Sequence, residues 1–430
     1  MERYSVYADH LGELRSANSP RMQRKASVKA ALDGEASREL RNLLDLKSLR
    51  RDGIFFTSSR LRSFAISTIA NSIDESSILY DPACGAGDLL LGGTEHLPIC
   101  RTLEETLRVW SKMIRGCDIH PQFVSACRHR LVLAAWQRHG FCGQERTRTR
   151  DDWFLNVENR CGKSSTRGYD CATHVLINPP YIKEFANDRS WCTGSVNSAA
   201  LFLEHALDSV RIGARIVAIL PEVIRCGSRY AKFRQLIESR SKRHRVASFG
   251  LFDSQADVDV FVLDIEKIGK KPVKGASWNW GQPPKSHRTI SDWFDVSVGP
   301  VVDFRDPRDR GKWYRYLTVD NVPPWTDLLN VKGSRRFQRR VVKAPFVVIR
   351  RTSRPGDTFR AVGSVIRGSN EYAVDNHLVI CQPHDNTLRT CRALITRLKT
   401  TDTNNWLDRV IRCRHLTVGA VKRIPWNDHD

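Results

Sequence analysis

The sequence lacks any uninterrupted run of about 18 apolar residues, the minimum for a helix that crosses a membrane. Its first ten residues, MERYSVYADH, also lack the basic and then apolar pattern of a secretory signal peptide. From both absences we expect a cytoplasmic protein without a membrane-spanning segment.

Cysteine pairs of the kind that bind metals are missing too, although the chain contains 12 cysteines. No two of them form a CxxC pair, and no histidines occur at the spacing of a zinc finger. We therefore predict buried thiols in a reducing compartment and no metal site.

Acidic residues are scarce compared with basic ones. The chain has 47 Asp and Glu against 69 Lys and Arg, a formal net charge of +22. A soluble protein with such an excess commonly meets phosphate, either on nucleic acid or at a membrane surface. A basic host proteome would give the same composition, so charge alone leaves the partner open.

The chain is long enough for two domains, and its 41% hydrophobic content can fill their cores. Residues 1–50 look helical and charged, whereas residues 269–299, rich in Gly, Pro, Ser and Lys, are typical of a linker or surface hairpin. Residues 300–430, with short strands and turns, predict a smaller mixed α and β domain. Between them, residues 51–268 alternate helical stretches with strands, which predicts a mostly parallel sheet with helices on both faces. The predicted strands are SSILYDPAC, MIRGCDI, HVLINPP, ARIVAILP and VDVFVLDI.

The first of these strands runs into a glycine turn, DPACGAGDLL. Gly85 and Gly87 would let the backbone approach a ligand that a Cβ atom would block. The turn is neither the GxGxxG of dinucleotide sites nor the GK[ST] of phosphate loops. Asp81 before the turn suits a cationic amine, and Asp118 at the end of the next strand suits ribose hydroxyls. A nucleoside with an amino-acid tail fits both carboxylates.

A second unusual turn follows the strand of HVLINPP, where Asn178, Pro179, Pro180 and Tyr181 come in succession. Prolines cannot continue a sheet ladder, and each restricts the residue before it. A stiff turn there would present an amide and an aromatic ring at the carboxyl end of a core strand. Alone it could be a proline-rich loop with a core tyrosine, but the glycine turn upstream favours a functional site.

DPACGAGDLL followed by NPPY resembles the amino-methylating DNA methyltransferases that use S-adenosyl-L-methionine. The pattern is similar to the adenine-N6 group, in which the cofactor region precedes the catalytic region and a DNA-recognition domain. The resemblance covers about residues 50–265 well and the last hundred residues more loosely. It implies a Rossmann-like methyltransferase sheet, methylation of an adenine flipped out of double-stranded DNA, and a nucleoid-associated role in restriction-modification or phage defence.

The resemblance also implies which residues bind the cofactor. GIFFTSS matches the amino-terminal cofactor motif, with Ser58 in place of the common proline, and RDDWF matches the motif whose carboxylate meets the cofactor adenine. That carboxylate is expected at Asp152 rather than Asp151, because an aromatic residue follows Asp152. A further small departure is Ala86, where the family usually has serine. The implied cofactor-binding residues are Phe56, Thr57, Asp81, Ala83, Cys84, Gly85, Gly87, Asp118, Ile119, Asp152, Trp153 and Asn178.

The same resemblance assigns a catalytic role to the turn of residues 178–181, which we call the catalytic turn. The Asn178 side chain and the Pro179 carbonyl would accept hydrogen bonds from an exocyclic amino group, and Tyr181 would stack on the target base. The segment GLFDSQADVDVFVLD resembles the one that supplies an aromatic residue beside the extruded base. The implied catalytic residues are Asn178, Pro179, Pro180, Tyr181 and Phe252.

Beyond the sheet, residues 332–367 contain eleven Lys or Arg and only one acidic residue, Asp357. Interleaved with aromatic and β-branched residues, they predict a DNA-facing sheet with APFVVIRR and NHLVICQP as core strands. The alternative is a solvated basic surface.

Several functions stay open from sequence alone. The target could instead be cytosine N4, RNA or a protein glutamine, since NPPY also occurs in glutamine-modifying enzymes. In a different class, the chain could be a DNA-recognition subunit. The sequence shows no PD…(D/E)xK nuclease pattern, so any cleavage would need a partner nuclease, and a specificity subunit is a further candidate partner.

Overall fold

The predicted apolar strands lie side by side in one seven-stranded sheet of the computed structural model. The structure describes residues 4–16, 21–141, 152–253, 255–269, 278–281, 283 and 286–426. By their internal contacts they form two compact units. The first unit comprises residues 1–225 and 229–278, and the second comprises residues 226–228 and 279–430.

Strands and helices alternate along the first unit. Its strands are β1 (Leu79–Asp81), β2 (Ile114–Asp118), β3 (Val157–Asn159), β4 (His174–Ile177), β5 (Lys183–Phe185), β6 (Ser195–Asn197), β7 (Arg215–Pro221), β8 (Ser241–Leu251) and β9 (Asp259–Lys267). Its helices are α1 (Ser5–Ser16), α2 (Arg21–Leu32), α3 (Glu35–Leu43), α4 (Leu46–Asp52), α5 (Ser59–Ile66), α6 (Asp88–Thr94), α7 (Leu103–Met113), α8 (Pro121–Arg138), α9 (Ser198–Ser209), α10 (Glu222–Cys226) and α11 (Ala231–Arg240). β5 and β6 pair as a separate hairpin.

The sheet has the order β3-β2-β1-β4-β7-β9-β8. Neighbours from β3 to β7 are parallel, whereas β9 is antiparallel to both β7 and β8. Every residue of β1 and β4 is buried, as expected where helices cover both faces of a parallel sheet. From β1 the chain continues to β2 on one side, while β4 lies on the other. This reversal creates a crevice at the carboxyl ends of β1 and β4, where ligands bind in open α/β sheets.

The predicted helices of residues 1–50 are present as α1 to α4, and they share the core of the sheet unit. Helices α1 and α2 contact α8. The ring of Tyr4, just before α1, meets Phe123 of α8 edge-on with ring centroids 5.0 Å apart, and it lies 6.1 Å from Phe56. The amino-terminal helices therefore support the segment that carries Phe56.

The second unit contains two sheets and three helices among its described residues. Its strands are β10 (Phe294–Val298), β11 (Lys312–Leu317), β12 (Asp327–Leu328), β13 (Ser334–Phe337), β14 (Val342–Lys343), β15 (Phe346–Arg350), β16 (Gly363–Ile366), β17 (Glu371–Val374) and β18 (Leu378–Pro383). Its helices are α12 (Leu388–Leu398), α13 (Thr401–Val410) and α14 (Val418–Lys422). One sheet has the order β10-β18-β15-β16-β12, and the other has the order β13-β11-β17-β14. The core strands predicted from APFVVIRR and NHLVICQP are β15 and β18, which pair antiparallel.

Part of the range 269–299, interpreted from its composition as a linker or hairpin, belongs to this second core. Phe294–Val298 form β10, paired along its length with β18. Ile290 and Phe294 are buried, because apolar residues in this stretch face the helices of the unit. Residues 270–277 lie outside the described residues. In the part of the chain that the structure describes, no helix has the length and apolar character needed to cross a membrane.

Candidate active site

The glycine turn after β1 contains two glycines that no other residue could replace without backbone strain. Gly85 and Gly87 have φ angles of +51° and +88°, which side-chain-bearing residues rarely adopt. A Cβ atom on Gly85 would come within 2.8 Å of the Phe56 ring, and one on Gly87 would lie 2.6 Å from the Cys127 sulfur. The backbone of this turn is therefore in close contact with Phe56 on one side and α8 on the other.

Two carboxylates hold the backbone around the turn. Asp118 accepts hydrogen bonds from the Gly85 N–H at 3.0 Å and from the His120 N–H at 2.9 Å. Asp81 accepts one from the Ala83 N–H at 3.0 Å. Burial raises the pKa of Asp81 to about 8, with smaller contributions from the nearby carboxylates of Asp118 and Asp88. Burial also raises the pKa of Asp118. This end of the site thus favours a positively charged ligand that would compensate the two carboxylates.

The segment with Phe56 and Thr57 connects the glycine turn to the catalytic turn. Phe56 is buried against the Phe123 ring, with centroids 4.9 Å apart. Next to it, the Thr57 hydroxyl oxygen accepts a hydrogen bond from the Asn178 amide nitrogen at 2.9 Å. Ser58 then caps the amino terminus of α5, where its hydroxyl accepts a hydrogen bond from the Leu61 N–H at 3.4 Å. The structure therefore brings this predicted motif into contact with both of the other motifs.

The remaining predicted cofactor residues are distributed around the turn. Cys84 is buried and Ala83 is half-buried, whereas the Ile119 side chain is 61% exposed directly after Asp118. Asp152 is exposed, and Asp151, the alternative carboxylate, lies outside the described residues. Beside Asp152, the Trp153 indole nitrogen is buried without a hydrogen-bond partner among the described residues. No direct contact links Asp152 to the two carboxylates of the turn, so its role stays a prediction.

In the catalytic turn, the polar side chains bond to each other. The Tyr181 hydroxyl donates to the Asn178 amide oxygen at 2.9 Å and lies 3.1 Å from the Ile219 carbonyl oxygen. Together with the hydrogen bond from the Asn178 nitrogen to Thr57, this network fixes the orientation of the amide. Burial raises the pKa of Tyr181 well above its usual value, so the phenol is neutral. The turn therefore contains no charged side chain.

The two prolines differ in what their carbonyl groups meet. The Pro180 carbonyl accepts a hydrogen bond from the Ser198 hydroxyl at the start of α9. The Pro179 carbonyl receives none from the described residues, so it remains available to a ligand. Gly53, at the end of α4, passes so close that a Cβ atom there would lie 2.9 Å from Pro180. Motif comparison did not single out this glycine, although a glycine after a helical pattern is a common helix end.

Phe252 is close to the catalytic turn, but it is only 3% exposed. Its ring meets Tyr181 edge-on at a centroid distance of 6.0 Å and lies 6.3 Å from the Phe55 ring. Phe252 is thus buried next to Tyr181 and Phe55. A base could stack on Phe252 only after side chains that cover it move.

One residue that the sequence did not identify joins the glycine turn to the amino-terminal helices. Arg130 of α8 is fully buried and donates to the Ala86 carbonyl at 2.6 Å, the Ala31 carbonyl at 2.8 Å and the Asp88 carboxylate at 2.9 Å. Only the fold brings these groups together, since no local motif surrounds Arg130. It stabilises the turn from behind by satisfying backbone groups that would otherwise be buried without partners.

The basic stretch 332–367 of the second unit does not form a single charged surface. Arg335 is buried and pairs with Asp303 at 2.6 Å, and Arg360 is buried with Asp408. Arg350 donates a hydrogen bond to the Val322 carbonyl oxygen, and Arg351 donates one to the Asn376 carbonyl oxygen. Several of the eleven basic residues therefore support loops and strands.

Two strands of this unit do present a cationic and aromatic surface, in which Trp313, Ser334 and Arg336 are exposed and Arg315 is half-buried. On the antiparallel pair β11–β13, Trp313 lies opposite Arg336, and Arg315 lies opposite Ser334. The Arg336 guanidinium stacks 5.5 Å from the centre of the Trp313 ring, which is 64% exposed. The alternate residues of the strands, including Tyr316 and Phe337, pack in a small core. We call the outward set, Trp313, Arg315, Ser334 and Arg336, the tryptophan face.

No protein-family model and no curated protein matches the sequence. Among solved structures, the chain is similar to the type IIL restriction-modification enzyme MmeI in complex with DNA, with a TM-score of 0.53 and 13% identity over 91% of this chain and 69% of that chain. It is also similar to the type IIG restriction endonuclease BpuSI, with a TM-score of 0.47 and 12% identity over 90% of this chain and 60% of that chain. A modification subunit of a putative type I restriction enzyme from Vibrio vulnificus YJ016 has a TM-score of 0.41 and 19% identity over 54% of this chain and 48% of that chain.

These likenesses concern the fold. The chain spans about half of the Vibrio subunit and 60% of BpuSI. The similarity to MmeI extends over most of the present chain, which includes both units. Together with the strand order, it confirms the predicted fold class: a Rossmann-like methyltransferase sheet with helices on both faces, followed by a smaller mixed α and β domain.

Proposed function

We propose that the protein is a site-specific DNA methyltransferase that transfers a methyl group from S-adenosyl-L-methionine to N6 of a flipped adenine. The observation that carries this proposal is the hydrogen bond between Thr57 and Asn178. It joins the catalytic turn to the segment whose Phe56 ring contacts the glycine turn at Gly85. A cofactor held by that turn would therefore have its reactive end beside the Asn-Pro-Pro-Tyr turn.

The residues present fit this cofactor. Each Asp118 oxygen already accepts one backbone N–H, and a carboxylate oxygen has a second lone pair for a ribose hydroxyl. Asp81 would compensate the positive charge of the amino-acid tail, and the exposed Ile119 side chain would cover one face of the adenine beside Trp153 and Asp152. S-adenosyl-L-methionine supplies a methyl group on a sulfonium, which is already a good leaving group. The protein therefore contributes mainly position and electrostatics.

The catalytic turn would orient the amino group of the base. The Asn178 amide oxygen accepts one hydrogen bond from Tyr181 and retains a lone pair for a second donor. The open Pro179 carbonyl offers another acceptor. Two acceptors fixed by a stiff turn would hold both N–H groups and direct the nitrogen lone pair towards the methyl group. Because Tyr181 is neutral and the turn contains no charged base, the proton that the amino group loses on methylation would pass to solvent and not to a side chain of the turn.

Double-stranded DNA is the proposed substrate because the second unit offers a surface suited to phosphate. Arginine beside an exposed aromatic ring is a common combination at nucleic-acid surfaces. We propose that residues 300–430 form the target-recognition domain and that the tryptophan face contacts the DNA backbone, whereas residues 51–268 form the methyltransferase domain. Arg336→Ala should reduce the slope of the logarithm of DNA affinity against the logarithm of salt concentration by about one, as expected for one lost phosphate contact. Exchange of Arg389, an exposed arginine on α12, serves as the control.

The setting follows from the same proposal. A site-specific methyltransferase with this fold would serve restriction-modification or phage defence in the cytoplasm, associated with the nucleoid. A nuclease or a specificity subunit would then be the partner. The remaining alternatives are methylation of cytosine N4, RNA or a protein glutamine, and a recognition subunit without transfer activity.

One experiment separates these functions. The purified protein is incubated with isotopically labelled S-adenosyl-L-methionine and unmodified genomic DNA, and the DNA is digested to nucleosides that are identified by mass. Label in N6-methyladenine is the expected result. Label in N4-methylcytosine would keep the mechanism and change the base. Binding of the cofactor without any labelled nucleoside would contradict the proposal and direct the search to RNA, protein or a partner subunit.

A further inference from the structure

An exposed phenylalanine lies on the hairpin that follows the catalytic turn. Phe185 ends β5 and is 81% exposed. Lys183, two residues earlier and on the same face of the strand, is exposed as well. Opposite them on β6 are the polar residues Ser195 and Asn197. The outer face of the hairpin therefore combines one large apolar ring with a positive charge and small polar groups.

The hairpin that carries Phe185 is anchored to the rest of the unit by buried side chains and hydrogen bonds. Val196, which pairs with Glu184, is buried, and so is Trp191, whose indole donates to Glu204 at 3.0 Å. The Asn197 N–H donates to the Tyr230 hydroxyl at 2.8 Å. The hairpin therefore holds the backbone of Phe185 in place. Because the Phe185 ring is exposed, it buries almost no apolar area and does not stabilise the core.

The position of Phe185 relative to the catalytic turn is also constrained. Phe185 comes four positions after Tyr181 in the chain, so their Cα atoms are at most about 14 Å apart. The Ser198 N–H donates to the Ile182 carbonyl at 2.9 Å, which ties the base of the hairpin to the start of α9. Phe185 therefore lies within about 14 Å, from Cα to Cα, of the turn that would receive the base.

We propose that Phe185 inserts into the DNA duplex at the gap left by the flipped base, with Lys183 contacting a neighbouring phosphate. This inference rests on the proposed function. An extruded nucleotide stays joined to its strand, so the gap that it leaves lies beside the pocket that receives it. An apolar side chain that enters the stack compensates for part of the lost stacking, as apolar wedges do in proteins that bend DNA. The lysine on the same face supplies the attraction to the backbone.

The test uses the full-length protein and its methylated site, once that site is located. Two duplexes are compared: one fully paired, and one with an abasic position opposite the target base, which weakens pairing in advance. Phe185→Ala should slow methylation of the paired duplex about tenfold or more, because base extrusion costs a few kcal/mol. It should change methylation of the abasic duplex less than about threefold. Phe185→Leu, which retains an apolar wedge, should recover most of the loss.

Phe304→Ala is the matched control, since Phe304 is 82% exposed in the second unit. It should affect both duplexes equally. Equal losses on both duplexes for Phe185→Ala, or no loss at all beside an active wild type, would overturn the inference alone. No transfer by the wild type would overturn the proposed function, and the inference with it. Thermal unfolding of each variant checks that the exposed substitution leaves the fold unchanged.

Discussion

At the ends of β1 and β2, buried carboxylates hold the backbone of the glycine turn, whereas at the end of β4 neutral amide and hydroxyl groups hold one another. Asp118 accepts from two backbone N–H groups, and Asp81 accepts from a third. Asn178 instead bonds to the hydroxyl groups of Thr57 and Tyr181. The two halves of one crevice therefore use different chemistry.

This difference separates the two tasks of the proposed reaction. The half with Asp81 and Asp118, which we call the charged half, becomes negative as these carboxyl groups ionise. It suits a cationic cofactor, and its affinity for such a ligand should respond to pH. The neutral half suits a neutral amino group, for which a charged neighbour would only alter protonation. Substitutions in the neutral half should therefore change transfer with little effect on cofactor affinity, and those in the charged half should do the reverse.

The largest effect is expected for Asn178→Ala. Loss of the amide oxygen removes one of the two acceptors for the base, and we expect transfer to fall by about 10³-fold, as for other precisely placed polar groups at reacting centres. Cofactor affinity, measured by titration calorimetry, should change less than about threefold because the Asp81 and Asp118 contacts remain.

Thr57→Val provides a graded comparison. It keeps the shape of the side chain but removes the acceptor for the Asn178 nitrogen. We expect an intermediate loss of transfer. If Asn178→Ala and Thr57→Val both weakened cofactor binding more than transfer, the proposed division between the halves would be wrong.

Next in size is Gly85→Ala, which acts on the charged half. The new methyl group would meet the Phe56 ring at 2.8 Å, so the turn or the ring must shift away from the cofactor position. We expect at least tenfold weaker cofactor binding, with unchanged binding of DNA.

Gly213→Ala is the matched control for Gly85→Ala. Gly213 also has a positive φ angle, +84°, but a Cβ atom there would meet nothing within 4 Å. Both variants should lose about 1 kcal/mol of unfolding free energy from backbone strain. Only Gly85→Ala should lose cofactor affinity, and equal losses in both variants would assign the effect to strain alone.

The sequence predicts this crevice well because its parts are local. Apolar strands with a glycine turn or an Asn-Pro-Pro turn at their carboxyl ends identify β1 and β4, and parallel pairing then brings Asp81 and Asn178 to the same edge. β8 was missed, since residues 242–245 are Lys-Arg-His-Arg and carry no apolar pattern. They occupy an edge strand, where basic residues and irregular pairing protect against further strand addition.

Contacts between distant residues are what the sequence does not reveal. Arg335 and Arg360 look like other arginines of their basic stretch, yet their partners, Asp303 and Asp408, are 32 and 48 residues away. Arg130 likewise meets Ala31 and Asp88 only after α8 has packed. Burial of a charged group is decided by the tertiary fold, so composition overestimates the positive charge that is free to meet phosphate.

A smaller effect is expected from pH, and only in the charged half. The pKa of Asp81 is raised by burial to about 8, so the folded protein binds this proton more tightly than the unfolded chain. The resulting stability is fully present below the unfolded pKa near 4 and is lost as pH rises towards about 8. The unfolding midpoint should therefore fall over this range in the wild type, and less in Asp81→Asn.

Cofactor binding should show the opposite trend. A positively charged ligand favours the ionised carboxylate, so affinity should rise as pH increases to about 8, and binding at pH 7 should release a proton. Calorimetry in two buffers with different ionisation enthalpies measures this release. Equal enthalpies in both buffers would show that Asp81 is not linked to the ligand.

The smallest effect is expected for Tyr181→Phe in the neutral half. The ring remains for stacking, but the Asn178 oxygen loses the hydroxyl that fixes it, a bond worth about 1 kcal/mol. Transfer should fall about fivefold at unchanged cofactor affinity, since 1.4 kcal/mol corresponds to a factor of ten. Faster transfer in Tyr181→Phe would instead mean that the tyrosine hydroxyl competes with the base for Asn178, because removing a competitor frees the acceptor. Whether transfer falls or rises in Tyr181→Phe therefore distinguishes two roles of the tyrosine hydroxyl: it either preorganises the Asn178 amide for the base or competes with the base for the amide oxygen.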